Sequence, residues 1–456
     1  MFSNLLSMRE NTKADVIGLL GPWGSGNLGD AAIQDAVMFN IKQRLPEVTL
    51  VGFSYSPQDT LERHGLACFP IDRRSNYRDV VSSGRTARPW GDVPDGYMRL
   101  LALIEIPAKK LRAVGRILRE LFSEVAFLIR SYGILKRVNL LIISGGGQLD
   151  DYYGGAWGHP YTLFCWMVLT RLTGTRLVVL SVGECQMEAG LTKWFLKKVL
   201  GSANYVSFRD QGSKDAISSI GMGREGPVVP DLAFSLPIAH NVCSSHGLID
   251  QPAIGISPIS AFAWQKERDA DYERYLLQLV MVVEWLTQEN YRVVFFCSQK
   301  KMDYPVVQEL RGLLHERGLS REHLISERET PSVQDLLSCI QAMDLVVASR
   351  LHGVLLSHVM SKPVIAVSYH RKVRRHMEDI GQAHNCLDVQ EFDIESFRER
   401  FRGAYSSRQL ISQNIRKTIS EYTVNLNRQY DLVLGVPGRE DNLGRRPGAM
   451  GETINA

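Results

Sequence analysis

Short apolar runs alternate with longer stretches in which apolar residues recur every three or four positions, and this alternation runs from Val16 to about residue 430. Residues 16–20, 48–53, 139–144, 177–182 and 205–208 read as buried strands, with a last strand of this half beginning at 228–231. Helical stretches fall at 31–44, 161–172, 191–200 and 214–220; in the first, Ile33, Ala36, Val37, Ile41 and Leu45 share one face. Residues 237–252 are polar and without a period, which predicts a linker. Strands then resume at 253–257, 292–297, 323–326, 345–348 and 363–368, with helices at 272–288, 304–316 and 333–342 and, after 349–353, a further helix. Helices near 394–401 and 411–430 finish the pattern. Strands that alternate with helices predict parallel sheets. Two such halves predict two Rossmann-like, doubly wound α/β domains facing a cleft, 1–236 and 253–432. Residues 1–14 predict a mobile lead-in, and 433–456, rich in Gly, Pro and Arg, a disordered tail.

One region breaks the rhythm. Residues 73–94 are polar with prolines and glycines, as in a surface loop or lid. A helical insertion at about 97–137 follows, in which Lys109, Lys110, Arg112, Arg116, Arg119 and Arg130 mix with Leu111, Val114, Ile117, Leu118, Leu121 and Phe122. Such a helix can rest on an anionic membrane surface. It can equally be an inserted helical pair with a solvated basic face, which the break at Pro107 and the ordinary behaviour of charged faces favour.

Composition narrows the class. With 45% hydrophobic and 22% charged residues, the 456-residue chain has the make-up of a soluble globular protein. A net charge of +4 gives no footing for nucleic acid as a partner. Cysteines 68, 165, 185, 243, 297, 339 and 386 are scattered and never in a C-x-x-C pair. They read as reduced thiols, which points to the cytoplasm and away from a bound metal. No secretory leader and no membrane-length apolar run is visible, so membrane contact would be peripheral, at the inner face.

Candidate chemistry gathers where predicted strands end. The first strand runs into a glycine-rich turn holding Gly24, Gly26, Asn27, Gly29 and Asp30. Its spacing matches a dinucleotide fingerprint, but no acidic residue ends the next strand to hold a ribose, and the Gly-Lys-Ser/Thr ending of a P-loop is absent. Asn27 and Asp30 would cap the helix or meet substrate hydroxyls. After 139–144 come Gly145, Gly146 and Gly147, where a ligand or another element can approach the backbone, and then Asp150 and Asp151. Either carboxylate could take a proton from a sugar hydroxyl or cap the next segment. Arg209 closes the strand at 205–208.

The densest cluster follows 345–348: Ser349, Arg350, Leu351, His352 and Gly353 open a helix, and His370, Arg371 and Lys372 follow the next strand. A helix N-terminus contributes roughly 0.3–1 kcal/mol toward an anion, and a charge-assisted hydrogen bond about 1.5–3. A multiply charged anion therefore needs the arginine as well as the dipole. His352, with an ordinary pKa of about 6.5, suits proton transfer.

In their order and spacing, several blocks resemble the polysaccharide pyruvyl transferase family. They are Gly26-Asn27-Leu28-Gly29-Asp30-Ala31-Ala32-Ile33, Ser144-Gly145-Gly146-Gly147, Ser207-Phe208-Arg209-Asp210, Pro230-Asp231, Ser349-Arg350-Leu351-His352-Gly353, and the stretch from Pro363 to Tyr369. The resemblance implies a glycosyltransferase-B-like pair of domains, the first on the acceptor side and the second on the donor side. It also implies transfer of pyruvate from phosphoenolpyruvate to a sugar diol as a cyclic ketal in exopolysaccharide or cell-surface glycan synthesis. By the same resemblance, Arg350, Leu351 and His352 bind donor and transfer a proton, and Arg209 also meets the donor. His370-Arg371-Lys372 stands where many members have Asp-Pro before the lysine. The chemistry then calls for Arg350 and Arg209 on the carboxylate and phosphate, with Lys372 assisting. Asp150 or Asp151 would be the base and His352 the acid. No cofactor or metal is called for, and the acceptor would be a sugar or lipid-linked oligosaccharide. A glycosyltransferase using a nucleotide sugar in the same cleft is the competing expectation, and a non-catalytic glycan- or anion-binding protein a third.

Overall fold

In the computed structural model the described residues are 15–24, 26–75, 109–151, 154–183, 187–221, 226–238, 251–260, 270–319 and 323–435, with side chains of 109–118 excepted. The expected lead-in, most of the expected loop and linker, the tail beyond 435, and Cys185 and Cys243 lie outside them.

The first sheet holds β1 (Val16–Leu20), β2 (Thr49–Ser54), β3 (Cys68–Pro70), β4 (Leu140–Ser144), β5 (Arg176–Val182) and β6 (Tyr205–Phe208). They run parallel in the order β3-β2-β1-β4-β5-β6. The second holds β7 (Ala253–Ser257), β8 (Arg292–Phe295), β9 (Ile325–Glu327), β10 (Leu345–Ala348), β11 (Val364–Ser368) and β12 (Cys386–Asp388), in the order β12-β11-β10-β7-β8-β9. Each lobe therefore repeats one doubly wound topology, and the order in which its strands are laid down reverses between β1 and β4 or between β7 and β10. Ligands of open parallel sheets bind outside the strand tips at such reversals.

Alternation along the strands explains the layers. Ile17, Leu19, Leu140 and Ile142 face one side of the first sheet, while Leu20, Leu141 and Ile143 face the other. Val346 and Ala348 likewise oppose Leu345 and Val347 in the second. The inner sides of both sheets belong to one continuous core, closed by α1 (Leu28–Arg44) from the first lobe and by α9 (Val333–Gln341) and α10 (Leu351–Val359) from the second. Besides these, helices α2 (Pro57–His64), α3 (Lys109–Leu135), α4 (His159–Thr173), α5 (Gly190–Ser202) and α6 (Gln211–Ser219) flank the first lobe. The second carries α7 (Ala270–Gln288), α8 (Lys300–Glu316), α11 (Arg371–Asp379) and α12 (Ile394–Ser406).

Two expectations need correction. Residues 228–231 are not a strand: Val228 makes only an isolated bridge to Phe208, because Pro230 has no N–H to continue a ladder. Short α2, β3 and β12 went unread, each too brief to show a period.

The last helix, α13 (Arg408–Leu434), does not stay with the second lobe. Tyr422 donates to the Asp379 carbonyl there, whereas Arg44 of α1 meets Asp431 at 2.5 Å and Asn427 at 2.9 Å. Farther in, the buried Gln429 accepts from Ser207 Oγ at 2.5 Å and from Tyr205 at 3.3 Å, and donates to Ser181 Oγ at 3.3 Å. Ser207 Oγ in turn accepts from the Ser181 N–H. Gln429→Leu should strand these hydroxyls in the core and cost about 1–3 kcal/mol, read as a lower denaturant midpoint with an unchanged slope.

Candidate functional site

The two lobes meet where α1 begins. Asn27 caps the helix, with its Oδ1 accepting from the Gly29 N–H at 3.1 Å and its Nδ2 donating to Asp30 Oδ2 at 2.7 Å. Its backbone bridges to Gln299, and the Leu28 N–H donates to the Ser298 carbonyl at 2.9 Å beyond the tip of β8. Gly29 faces the second lobe directly: a Cβ there would overlap the His352 ring. A glycine at this helix start thus admits the imidazole against bare backbone. Beside it, Gly145 and Gly146 turn with φ of +56° and +73°, and Gly146 lies against the Asp30 carboxylate.

His352 stands on the first turn of α10, after β10, and Arg350 is that helix's N-cap residue. The Arg350 guanidinium grips Asp303 with two hydrogen bonds, Nη2 to Oδ1 at 2.9 Å and Nε to Oδ2. Asp303, fully buried in the first turn of α8, also accepts from the Ser260 N–H. Leu351 is buried in the core, so its contribution is to packing.

Arg209 approaches from the first lobe, at the tip of β6. It lies 3.3 Å from Asp231 and 3.6 Å from Asp210, and it packs on Gly183, where any side chain would collide with its guanidinium. Asp231 itself caps the turn at Leu232–Ser235 through the Ala233 N–H. Arg375 of α11 crosses to Asp210 at 3.8 Å and rests on Gly212, a second glycine-mediated contact between the lobes. Lys372 follows the N-cap His370, whose Nδ1 accepts from the Lys372 N–H.

These groups act on one another. Burial and the neighbouring Asp231 push Asp30 up to about 7, against the pull of Lys372, its bond to Asn27 and Arg209. Burial pulls His352 down to about 4; Asp231 opposes this, while Arg209, Lys372 and Arg350 reinforce it. His376 is held near 4 by burial and pairs with His358 at 2.9 Å. His352 Nε2 is buried without a hydrogen bond among the described residues. At neutral pH the site thus holds an uncharged imidazole beside a carboxyl divided between its two forms.

Of the residues singled out in the sequence, Asn27, Asp30, Gly146, Arg209, Arg350, His352 and Lys372 converge on this joint. Gly147 is part-exposed in the same turn. The aspartates after it have contacts of their own. Asp151 Oδ2 accepts from the Glu188 and Ala189 N–H groups, at 3.1 and 3.0 Å, tying down the chain that enters α5. Asp150 is buried within electrostatic reach of Tyr55, whose hydroxyl bonds His159. Asp303, Arg375 and His376 were missed. Asp303 gives no local signal, since it reaches Arg350 from 47 residues away.

Comparison with known proteins fits this architecture. The family described as "Polysaccharide pyruvyl transferase" matches residues 27–371, about three quarters of the chain. No curated protein sequence matches. Among solved structures, HepE of Anabaena in complex with UDP is similar at 12% identity with a TM-score of 0.54, covering 92% of this chain and 99% of that one. A putative UDP-N-acetylglucosamine 2-epimerase from Listeria monocytogenes gives 11% and 0.53 over 97% and 100%, and a glycosyltransferase from Rickettsia africae 12% and 0.53 over 93% and 99%. At such identities the structures speak for the fold, which is glycosyltransferase-B-like, and the family match speaks for the rest. From its glycine-rich helix start to the turn that carries His352, the chain belongs to the polysaccharide pyruvyl transferase family and is, with it, a transferase of polysaccharide biosynthesis.

Proposed function

We propose that the joint between the lobes transfers a pyruvyl group from phosphoenolpyruvate to two hydroxyls of a sugar, giving a cyclic ketal and inorganic phosphate. The observation that carries this reading is the gathering of Arg209, Lys372 and Arg350 around His352 and Asp30 in a chain of this family. The donor carries a carboxylate and a phosphate on one small skeleton, and three cations from both lobes match that charge. Asp303 and Asp231 hold two of the guanidiniums in position, so they need not reorganise as the leaving phosphate develops charge.

Proton accounting assigns the other groups. The first hydroxyl adds to C2 of the donor and gives its proton to Asp30, whose raised pKa makes its ionised form a stronger base than an ordinary carboxylate. The methylene carbon takes a proton from His352 and becomes the methyl group. His352 is neutral in the free protein, and the arriving dianionic phosphate reverses the electrostatic balance that keeps it so. The C2–O bond to phosphate breaks, and the second hydroxyl closes the ring, its proton leaving with the phosphate. Asp30 takes here the part that the sequence offered to Asp150 or Asp151. A nucleotide-sugar donor is the competing reading, since HepE was crystallised with UDP and shares the fold.

Incubation with phosphoenolpyruvate and a panel of sugar acceptors should release phosphate and add a pyruvyl group to the acceptor by mass; release of UDP from UDP-sugars without phosphate release would overturn the proposal. Lys372→Met, which removes a cation that acts on Asp30 and His352, should raise KM for phosphoenolpyruvate roughly 10- to 100-fold with the fold intact. Because Asp30 (about 7) must be ionised and His352 (about 4) must be protonated, kcat/KM should be level between about pH 4 and 7 and fall roughly tenfold per unit above 7. Asp30→Asn should lower kcat/KM by roughly 10²–10⁴ and remove the break near pH 7.

A further inference from the structure

The helix α3 enters the first sheet through β4 and therefore runs antiparallel to it. Its 27 residues span about 40 Å, whereas the five of β4 span about 17 Å. More than half of the helix thus projects past the strand tips, at the end where the cleft opens. Contacts fix that level: Glu124 accepts from the Tyr161 hydroxyl at 3.4 Å, and Tyr161 belongs to the first turn of α4, which starts at the tip side.

The outward face of this helix is apolar. Leu121, Phe122 and Ile129 are 58%, 57% and 65% exposed, Val125 is exposed with them, and their spacing sets all four on one side. Trp157, 64% exposed, continues the patch through its ring contact with Tyr161, and Leu191 and Trp194 on the first turns of α5 extend it along the same end of the lobe. An apolar patch of this extent on a soluble domain marks a contact surface.

Charge identifies the occupant. Arg119 and Arg130 flank the stripe, Lys197 and Lys198 are exposed beside Trp194, and the sequence of the first eight helix residues, KKLRAVGR, holds four cations and no acid. The two acids of the helix are both paired with a cation, Arg73 lying 2.9 Å from Glu124 and 3.7 Å from Glu120. A face of leucine, phenylalanine and tryptophan bordered mainly by cations matches an anionic bilayer surface, with indoles at headgroup level and aliphatic side chains below. A second copy of the chain fits less well, because a two-fold pairing would bring the cationic borders together. Among the described residues no helix is long and apolar enough to cross a membrane, so contact would lie along the surface.

We infer that this face docks the protein onto anionic phospholipid, with the mouth of the cleft turned toward the bilayer. The geometry suits an acceptor whose sugar is carried on a lipid. Docking is independent of which donor the site uses, so it stands or falls separately. Sedimentation of the full chain with phosphatidylcholine vesicles, with and without phosphatidylglycerol, tests it. The chain should pellet with the anionic vesicles, stay in solution with the neutral ones, and be released by high salt. The double variant Leu121→Glu/Phe122→Glu should lose at least tenfold in partitioning, about 1.4 kcal/mol, with an unchanged unfolding midpoint. Wild-type protein left in the supernatant with anionic vesicles, equal partitioning of the variant, or a dimer in solution that the same variant dissolves would each overturn the inference.

Discussion

Everything at the joint depends on one close contact, the His352 imidazole lying on the bare backbone of Gly29. Because a side chain at that position would collide with the ring, the two lobes approach as closely as they do only with glycine there. The same contact sets Asp30, one residue on, under the influence of a cation from the opposite lobe, Lys372. Two hydrogen-bonding partners hold the approach in register: the Ser298 carbonyl takes the Leu28 N–H, and Gln299 bridges to Asn27. The helix start thus does three things at once. It caps α1, joins the lobes and presents a carboxyl whose proton affinity reflects both.

Cations and anions alternate through the site. Arg209 stands between Asp210 and Asp231, Arg350 against Asp303, and Arg375 against Asp210. Each buried carboxylate fixes a guanidinium at a desolvation cost that the pairing itself only partly offsets. The arrangement makes sense where position matters more than stability. Glycines serve this order too, since Gly183 and Gly212 give the planes of Arg209 and Arg375 flat backbone to lie against.

Much of the fold was legible because buried parallel strands print continuous apolar runs and their helices print a 3.6-residue period. The glycine turns and the Arg350–His352 cluster were legible as chemistry placed at strand tips. The partners were not. Asp303 sits in an unremarkable helix start, and nothing local says that it will reach a turn beyond β10. Asp150 and Asp151 illustrate the converse: two carboxylates after a glycine run look reactive, yet Asp151 is spent on the backbone of Glu188 and Ala189. The basic helix was ambiguous for a related reason. Its composition does not tell which face packs, nor that Glu120 and Glu124 both pair with Arg73.

The course of α13 has a mechanical consequence. The chain passes from the first sheet to the second between β6 and β7, and it comes back along a stiff helix whose far half is fastened to α1 and to Ser207. A body tied at one point can swivel in any direction, but one tied at two is left with rotation about the line between them. Any opening of the lobes is thereby reduced to a single swing, and the surface at Gly29 and His352 is where its two jaws shut.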